Sequence, residues 1–582
     1  MIFDYSDSEA LGQVVAVDTG TVVVRVADIQ CLRALQVNRL AVLQSSKPGQ
    51  HLVGIIQRIR RNASEPDEPV AEPDETLESR TETNLVKIAL IGTLIDKERG
   101  RDNVFRRTLE TVPEIDANCF PVEGERLTQF MRAISDVKGE GARLALGHFT
   151  LDETAEAFLN GNKLFQRHAL IVGSTGSGKS YTTARLLDQI ADLPQANAIV
   201  FDIHGEYGSL TGDPFRHFRI AGPADIDSGR GLSDGVLHVP YWLLGYEAMV
   251  SLFVDRSDQN APNQAMVMSR SITEAKKDYL EKGDYSDILA NFTIDSPVPF
   301  DINKVIGTLN DLNAEMVGGA KGLKQGDFHG KLSRLLARFE AKRADRRLGF
   351  LFQPPRESRE MDWLQQLTKL LIEGRASQTD GHGGIKIIDF SEVPSDILPL
   401  IVSLLARIAF NVQQWTPTEN RHPIALFCDE AHLYIPERTE ADSAGAMAVQ
   451  DFERIAKEGR KYGIGLVVIS QRPAEVNRTV LSQCNNVIAM RLTNGDDQSV
   501  IRRLLPDSLG GFGDLLPILD TGEALVVGDA SLLPTRVRVG EPRHKPNSAT
   551  IDFWDRWAVA KTTSQSAEAV TAWRRQSMKS PA

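Results

Sequence analysis

Cysteine is scarce in this chain of 582 residues. Cys31, Cys119, Cys428 and Cys484 lie far apart, with no disulfide-framework or metal-ligand spacing between them. That excludes a disulfide-stapled scaffold and a zinc module, and it is the usage expected of a reduced, cytoplasmic protein. Long apolar runs are missing too: none reaches the ~18 residues that suggest a membrane span. The first residues, Met1-Ile2-Phe3-Asp4-Tyr5, have neither the basic nor the apolar segment of a secretory signal. Positive charge is in deficit, with 66 Lys and Arg against 78 Asp and Glu and a formal charge of −12. Such a balance argues against a surface that coats DNA non-specifically. A localised basic channel stays open, because affinity depends on the residues that touch phosphate.

What is present is more specific. The run Gly173-Ser174-Thr175-Gly176-Ser177-Gly178-Lys179-Ser180 fills every fixed position of a phosphate-binding loop. Glycines there let backbone N–H groups curl around a phosphate with no Cβ in the way. Lys179 can reach the β- and γ-phosphates, and the Ser180 hydroxyl is placed to ligate Mg²⁺. Ala169 to Val172 before the loop reads as a short buried strand, and Tyr181 to Leu193 after it as a helix whose N-terminus favours an anion. ATP with Mg²⁺ is the expected ligand.

Length allows roughly two to four domains. Val14 to Val17, Thr21 to Val26, Val53 to Ile59 and Leu85 to Ile95 have strand character, with Asp18-Thr19-Gly20 as a turn. More strand character follows near Phe105 to Thr111, while Asn62 to Thr83, acidic and proline-containing, reads as an exposed loop. Residues 1–150 are therefore expected to form a small β-barrel or sandwich. A first part of the nucleotide core is expected over 151–255, a helical insertion over 256–380, a second part of the core over 381–545, and a C-terminal helix and tail over 546–582. In the insertion, Gln259 to Leu280 has helical spacing. Lys321 to Arg347 is basic and follows a run of glycines, which suits either sliding contacts to a phosphate backbone or a solvated helix face. Phe553, Trp554 and Trp557 in Ile551 to Trp557 suggest one short helix docked on the body.

The other half of the site is read from strand ends. Ala198 to Phe201 leads into Asp202-Ile203-His204-Gly205-Glu206-Tyr207, where Asp202 and Glu206 can orient water or outer-shell Mg²⁺ ligands, the alternative being a capped turn. Ile424 to Cys428 ends in Asp429-Glu430. Asp429 can hold Mg²⁺ through water, and Glu430 can polarise the attacking water. Val467 to Ser470 ends in Gln471, which can sense the γ-phosphate or simply satisfy a strand end. Arg460, at the end of an expected helix, is either an ordinary helix-terminal cation or an arginine that reaches a neighbour's γ-phosphate; Arg143 and Arg491 are rivals for that role.

At these residues the sequence resembles the HerA branch of the HerA/FtsK ATPases. The likeness rests on Gly173–Ser180, Asp202–Tyr207, Asp429-Glu430-Ala431-His432, the run Glu458–Arg472 and Asn494-Gly495-Asp496-Asp497. It implies an α/β fold: a RecA-like P-loop ATPase core with a helical insertion and an N-terminal β-barrel, assembled as a homo-hexamer around double-stranded DNA. It also implies a partner, either a NurA-type nuclease or a sirtuin-like or nuclease effector of phage defence. Lys179, Asp429, Glu430 and Gln471 match the family's phosphate-loop lysine, acidic pair and sensor glutamine, and Arg460 its arginine before the sensor strand. Asn62 to Thr83 would elaborate the barrel.

Overall fold

The computed structural model describes residues 2–63, 82–96, 103–135, 143–319, 322–374, 383–437, 443–505, 513–548, 552–559 and 566–575. Two compact units emerge, Met1–Leu164 with Asn486–Glu541, and Phe165–Asn485 with Pro542–Ala582.

The first unit holds a closed barrel. Its strands are β1 (Gly12–Asp18), β2 (Thr21–Arg25), β3 (Leu40–Gln44), β4 (Gln50–Ala63), β5 (Glu82–Ile95), β6 (Val104–Arg106) and β7 (Asn118–Pro121). Six of them run in the order β2-β1-β7-β3-β4-β5, and β2 pairs back onto β5 to close the ring, with β6 added on β5. All these pairings are antiparallel, so alternate side chains face inward. Val14, Val22, Val24, Leu43, Leu52 and Ile88 fill that interior. The expected loop over Asn62 to Thr83 begins later than its composition suggests. Asn62 pairs with Thr83 and Ala63 with Glu82, because a ladder needs backbone groups and not apolar side chains; residues 64–81 lie outside those described. Expected strand near Phe105 to Thr111 reduces to β6. The same unit holds a second antiparallel run: β8 (Leu144–Phe149) with β9 (Asp152–Leu159), and the later strands β19 (Asn486–Ala489), β20 (Glu523–Val527) and β21 (Thr535–Val539) in the order β19-β20-β21-β8-β9.

The second unit is built on parallel strands β10 (Ala169–Val172), β11 (Ala198–Asp202), β12 (Phe215–Ile220), β13 (Val236–Leu237), β16 (Ile385–Asp389), β17 (Ile424–Cys428) and β18 (Ile464–Ser470). Their order is β13-β12-β16-β11-β17-β18-β10, every neighbour parallel. Strands β10, β11, β17 and β18 are buried along their whole length, as expected where helices cover both faces. The main helices are α1 (Lys179–Ala191), α2 (Ala261–Lys282), α3 (Ile302–Ala314), α4 (Ser333–Ala344), α5 (Leu398–Trp415) and α6 (Ser443–Glu458). Between β13 and β16 the chain is largely helical and includes α2 to α4. Its glycine-rich stretch folds as a hairpin of β14 (Met316–Gly319) and β15 (Gly322–Gln325), with Leu323 74% exposed.

Past Glu541 the chain returns to α1. Buried Asp188 accepts hydrogen bonds from the Arg543 N–H (2.6 Å) and the His544 ring (2.7 Å), while the Asn547 N–H donates to the Glu206 carbonyl (2.7 Å). Beyond this strap, α7 (Phe553–Ala558) leaves Phe553, Trp554 and Trp557 62%, 80% and 73% exposed, so the expected docking of these rings does not occur; Ile551 lies outside the described residues. A further helix, α8, spans Ser566–Arg575.

Candidate active site

Parallel register brings the functional strand ends to one edge. Val172 stands opposite Ser470, Cys428 opposite Val468, Phe201 opposite Cys428, and Asp202 opposite Asp389. The loop Gly173–Ser180 leaves β10 at this edge and enters α1. Gly176 and Gly178 take φ of +73° and +109°, left-handed values that a β-carbon would strain. Gly178 is the N-cap, and no side chain caps the helix, so its first N–H groups are available to an anion.

Lys179 and Glu430, 7% and 3% exposed at their side chains, form a buried ion pair in which Lys179 Nζ donates to Glu430 Oε1 at 3.2 Å. Gln471 Nε2 donates to the same oxygen at 2.5 Å, and Thr175 Oγ1 donates to Gln471 Oε1 at 2.5 Å. One hydrogen-bonded chain therefore links the phosphate loop, the acidic pair and the glutamine strand end. Glu430 sits at φ +44°, a left-handed backbone for a residue with a side chain and a form of strain that collects at functional sites. Burial raises the Glu430 pKa, but the Lys179 charge and the Gln471 hydrogen bond outweigh it, and the net shift is downward.

Asp429, fully buried beside it, moves the other way. Burial raises its pKa well above the usual value, Lys179 opposes, and the neighbouring carboxylates Glu430, Asp202 and Glu206 add to the rise. Asp202 is pushed up to about 6, by burial first. Its two oxygens accept the N–H groups of Glu206 and Tyr207, each at 3.0 Å, so it caps its own turn. Asp389 closes the adjacent strand, a carboxylate whose proximity was hidden because β16 lies nearly two hundred residues further on.

These carboxylates outnumber the one buried lysine, which fits a site that receives a cation. Among the described residues no group of three or more His, Cys, Asp or Glu side chains could hold a metal ion. A divalent ion here would need Ser180, Asp429, water and phosphate oxygens, the sparse protein ligation typical of Mg²⁺.

Other expected residues stand apart. Arg460 lies in the turn Gly459–Tyr462 before β18, whereas Gln471 follows it. Seven residues at ~3.3 Å each put it on the order of 20 Å away, at the opposite edge. Arg143 and Arg491 belong to the first unit. In the basic stretch Lys321 is outside the described residues. Arg334 pairs with Asp258, Lys342 with Asp396, Arg346 with Asp227 and Arg347 with Asp345, while Lys324 and Lys331 are exposed. His432 and Ser470 were missed as participants: the His432 ring nitrogen Nδ1 lies 3.4 Å from Glu430 Oε2 and 3.2 Å from Ser470 Oγ. The signal was their place, two residues after Glu430 and one before Gln471.

The family model for the helicase HerA central domain matches residues 144–409. Curated relatives extend the likeness over more of the chain than this segment. A HerA DNA double-strand break repair helicase of Sulfolobus acidocaldarius is 23% identical over 408 residues, 68% of this chain and 69% of that one. Over residues 144–409 the chain matches the HerA helicase family. It is a P-loop ATPase with an α/β RecA-like core, a helical insertion and an N-terminal barrel. A HerA helicase of Pyrococcus furiosus is 39% identical over 148 residues, 24% of this chain and 26% of that one. A probable helicase of Methanocaldococcus jannaschii is 27% identical over 417 residues, 70% and 68% of the two chains. Among solved structures, VirB4 of Thermoanaerobacter pseudethanolicus aligns with a TM-score of 0.45 at 17% identity, over 70% of this chain and 98% of that one. No helix among the described residues of this chain is long and apolar enough to cross a membrane.

Proposed function

We propose that this chain is an ATP-driven translocase on double-stranded DNA, working as a homo-hexameric ring with a nuclease or another effector in DNA end processing or phage defence. The supporting observation is the chain Thr175–Gln471–Glu430–Lys179, which joins the phosphate loop to a buried acidic pair in a HerA-like ATPase. Mg²⁺–ATP binds with its phosphates in Gly173–Ser180. Ser180 and Asp429 would hold the ion, which would supply charge to shield the phosphates. Glu430 orients the attacking water, and Gln471 senses the γ-phosphate. Asp202 and Glu206 line the site from the neighbouring turn. Arg460, too far to act within its own subunit, serves the nucleotide of the next one. We retain residues 1–150 as the barrel, 151–255 and 381–545 as the core, 256–380 as the insertion and 546–582 as the C-terminal helix and tail.

A second reading, an ATP-regulated hexameric scaffold that assembles and activates a defence effector such as a sirtuin-like enzyme, is favoured by one observation. Arg334, Lys342, Arg346 and Arg347 are already paired with carboxylates, which thins the cationic surface offered to DNA. The deciding experiment compares ATP turnover with and without linear duplex, beside the Glu430→Gln variant as the control with strongly slowed hydrolysis. Turnover that rises several-fold with duplex and a tracking signal on immobilised DNA support the motor. Turnover indifferent to DNA refutes it and supports the scaffold.

A further inference from the structure

Glu430 is gripped at one carboxylate oxygen by Lys179 and Gln471, and the other raises a separate question. Oε2 is buried and has no hydrogen-bond partner among the described residues. What approaches it is His432 Nδ1, at 3.4 Å, from the short turn Ala431–Leu433 that follows the acidic pair. The same nitrogen meets Ser470 Oγ at 3.2 Å, and that oxygen accepts the Arg472 N–H at 3.0 Å. A nitrogen lone pair aimed at a carboxylate would repel it. A proton on Nδ1 is attracted to both the carboxylate and the hydroxyl, so the neighbours select the Nδ1–H tautomer.

We propose that His432 is the positioning residue that holds the free oxygen of Glu430 and couples it, through Ser470, to the end of β18 where Gln471 begins. The idea rests on the reading of Glu430 as the group that orients water. Glu430 carries a left-handed backbone, so its side-chain direction is not supported by ordinary strand geometry and depends on contacts at the carboxylate. Gln471 on Oε1 and His432 on Oε2 fix the plane of that group from both sides, and both lead to β18. A carboxylate free to rotate about one anchored oxygen would aim poorly at water, while nucleotide affinity, set by the loop and Lys179, would be unaffected.

The test compares His432→Ala, His432→Asn and His432→Gln, in the full chain and again in the Glu430→Gln background. Asn can place an N–H near the position of Nδ1; Gln places one nearer Nε2. We expect His432→Ala and His432→Gln to lower kcat for ATP about 10- to 100-fold, the range for partners that orient a catalytic group, with KM within about threefold. His432→Asn should recover most of the rate. In the Glu430→Gln background the alanine change should cost nothing more, because the group it positions is gone. A kcat for His432→Ala within twofold of the parent, equal behaviour of Asn and Gln, or the same further loss in the Glu430→Gln background would each overturn the proposal. Melting temperatures of all variants check folding, and the Asn–Gln contrast holds even if alanine fails to fold. Parent-like turnover by Glu430→Gln would sink the Glu430 reading itself, whereas a Glu430→Gln slowed to a small residual rate beside a fully active His432→Ala sinks only the role of His432.

Discussion

Asp202→Asn tests the electrostatics of the site through stability. Asp202 is buried among carboxylates, and its pKa is pushed up from 3.8 to about 6, by burial foremost and then by Asp389 and Glu206 against two helpful backbone N–H bonds. A carboxyl raised in the folded state favours folding while protonated. That contribution is complete below the unfolded pKa and is lost as pH rises through the folded one. The shift of about two pH units corresponds to about 3 kcal/mol between the protonated limit and the ionised one. Over the accessible window from pH 5 to pH 8 about half of that, ~1.4 kcal/mol, should appear, because the unfolded group is already ionised and the folded one is not. Asparagine has no charge to desolvate and resembles the protonated acid. The stability of Asp202→Asn relative to the parent should therefore rise by ~1–1.5 kcal/mol from pH 5 to pH 8. Urea unfolding of both proteins at matched pH values measures it, and subtracting the parent removes the titrating groups that do not interact with Asp202. A difference that stays constant with pH, or falls as pH rises, would refute this account of Asp202.

Three further outcomes are expected. Lys179→Ala should abolish productive ATP binding, since it removes the cation facing the phosphates and leaves Glu430 with one partner on Oε1; nucleotide affinity equal to the parent in calorimetry would rule that out. Replacing Lys324 and Lys331 together by Ala should weaken duplex binding and reduce the slope of log affinity against log salt by about 2, with basal turnover nearly intact, and an unchanged slope would place the DNA path elsewhere. Arg460→Ala should bind ATP but hydrolyse it slowly, and mixing with Lys179→Ala subunits should restore some activity; confirmed mixed rings with no recovery would count against a role across the interface.

The elements around the nucleotide were legible because burial and phosphate chemistry constrain them together. The apolar run Ala169 to Val172 is β10 to the residue, and the helix after the loop begins two residues earlier than expected, at Lys179, because Gly178 caps it. The barrel's closure was not legible, since the β2–β5 pairing joins residues sixty or more positions apart and leaves no local pattern. The hairpin β14–β15 was hidden by its glycines, which read as a loop although their backbone pairs normally. The basic run looked uniform in sequence; its division into residues paired with carboxylates, Lys342 and Arg346 among them, and the exposed Lys324 and Lys331 depends on Asp227 and Asp396, which only folding brings close. The partnership of His432 with Glu430 likewise depends on a turn geometry that spacing does not reveal.

The strap from Arg543 to Asn547 bears on how this chain can be dissected. Asp188 lies on the very helix that begins with Lys179, and its partners Arg543 and His544 arrive from more than 350 residues downstream. A fragment trimmed to the segment the family model matches, 144–409, would lack Asp429, Glu430 and Gln471, and would also strand that buried carboxylate. Even a fragment extended past Gln471 but cut before Pro542 would leave it uncompensated, a loss of the ~3–5 kcal/mol class. The smallest piece that folds as a nucleotide domain therefore includes residues on both sides of a long excursion through the other unit, and swapping C-terminal segments between relatives would alter the helix that carries the phosphate loop.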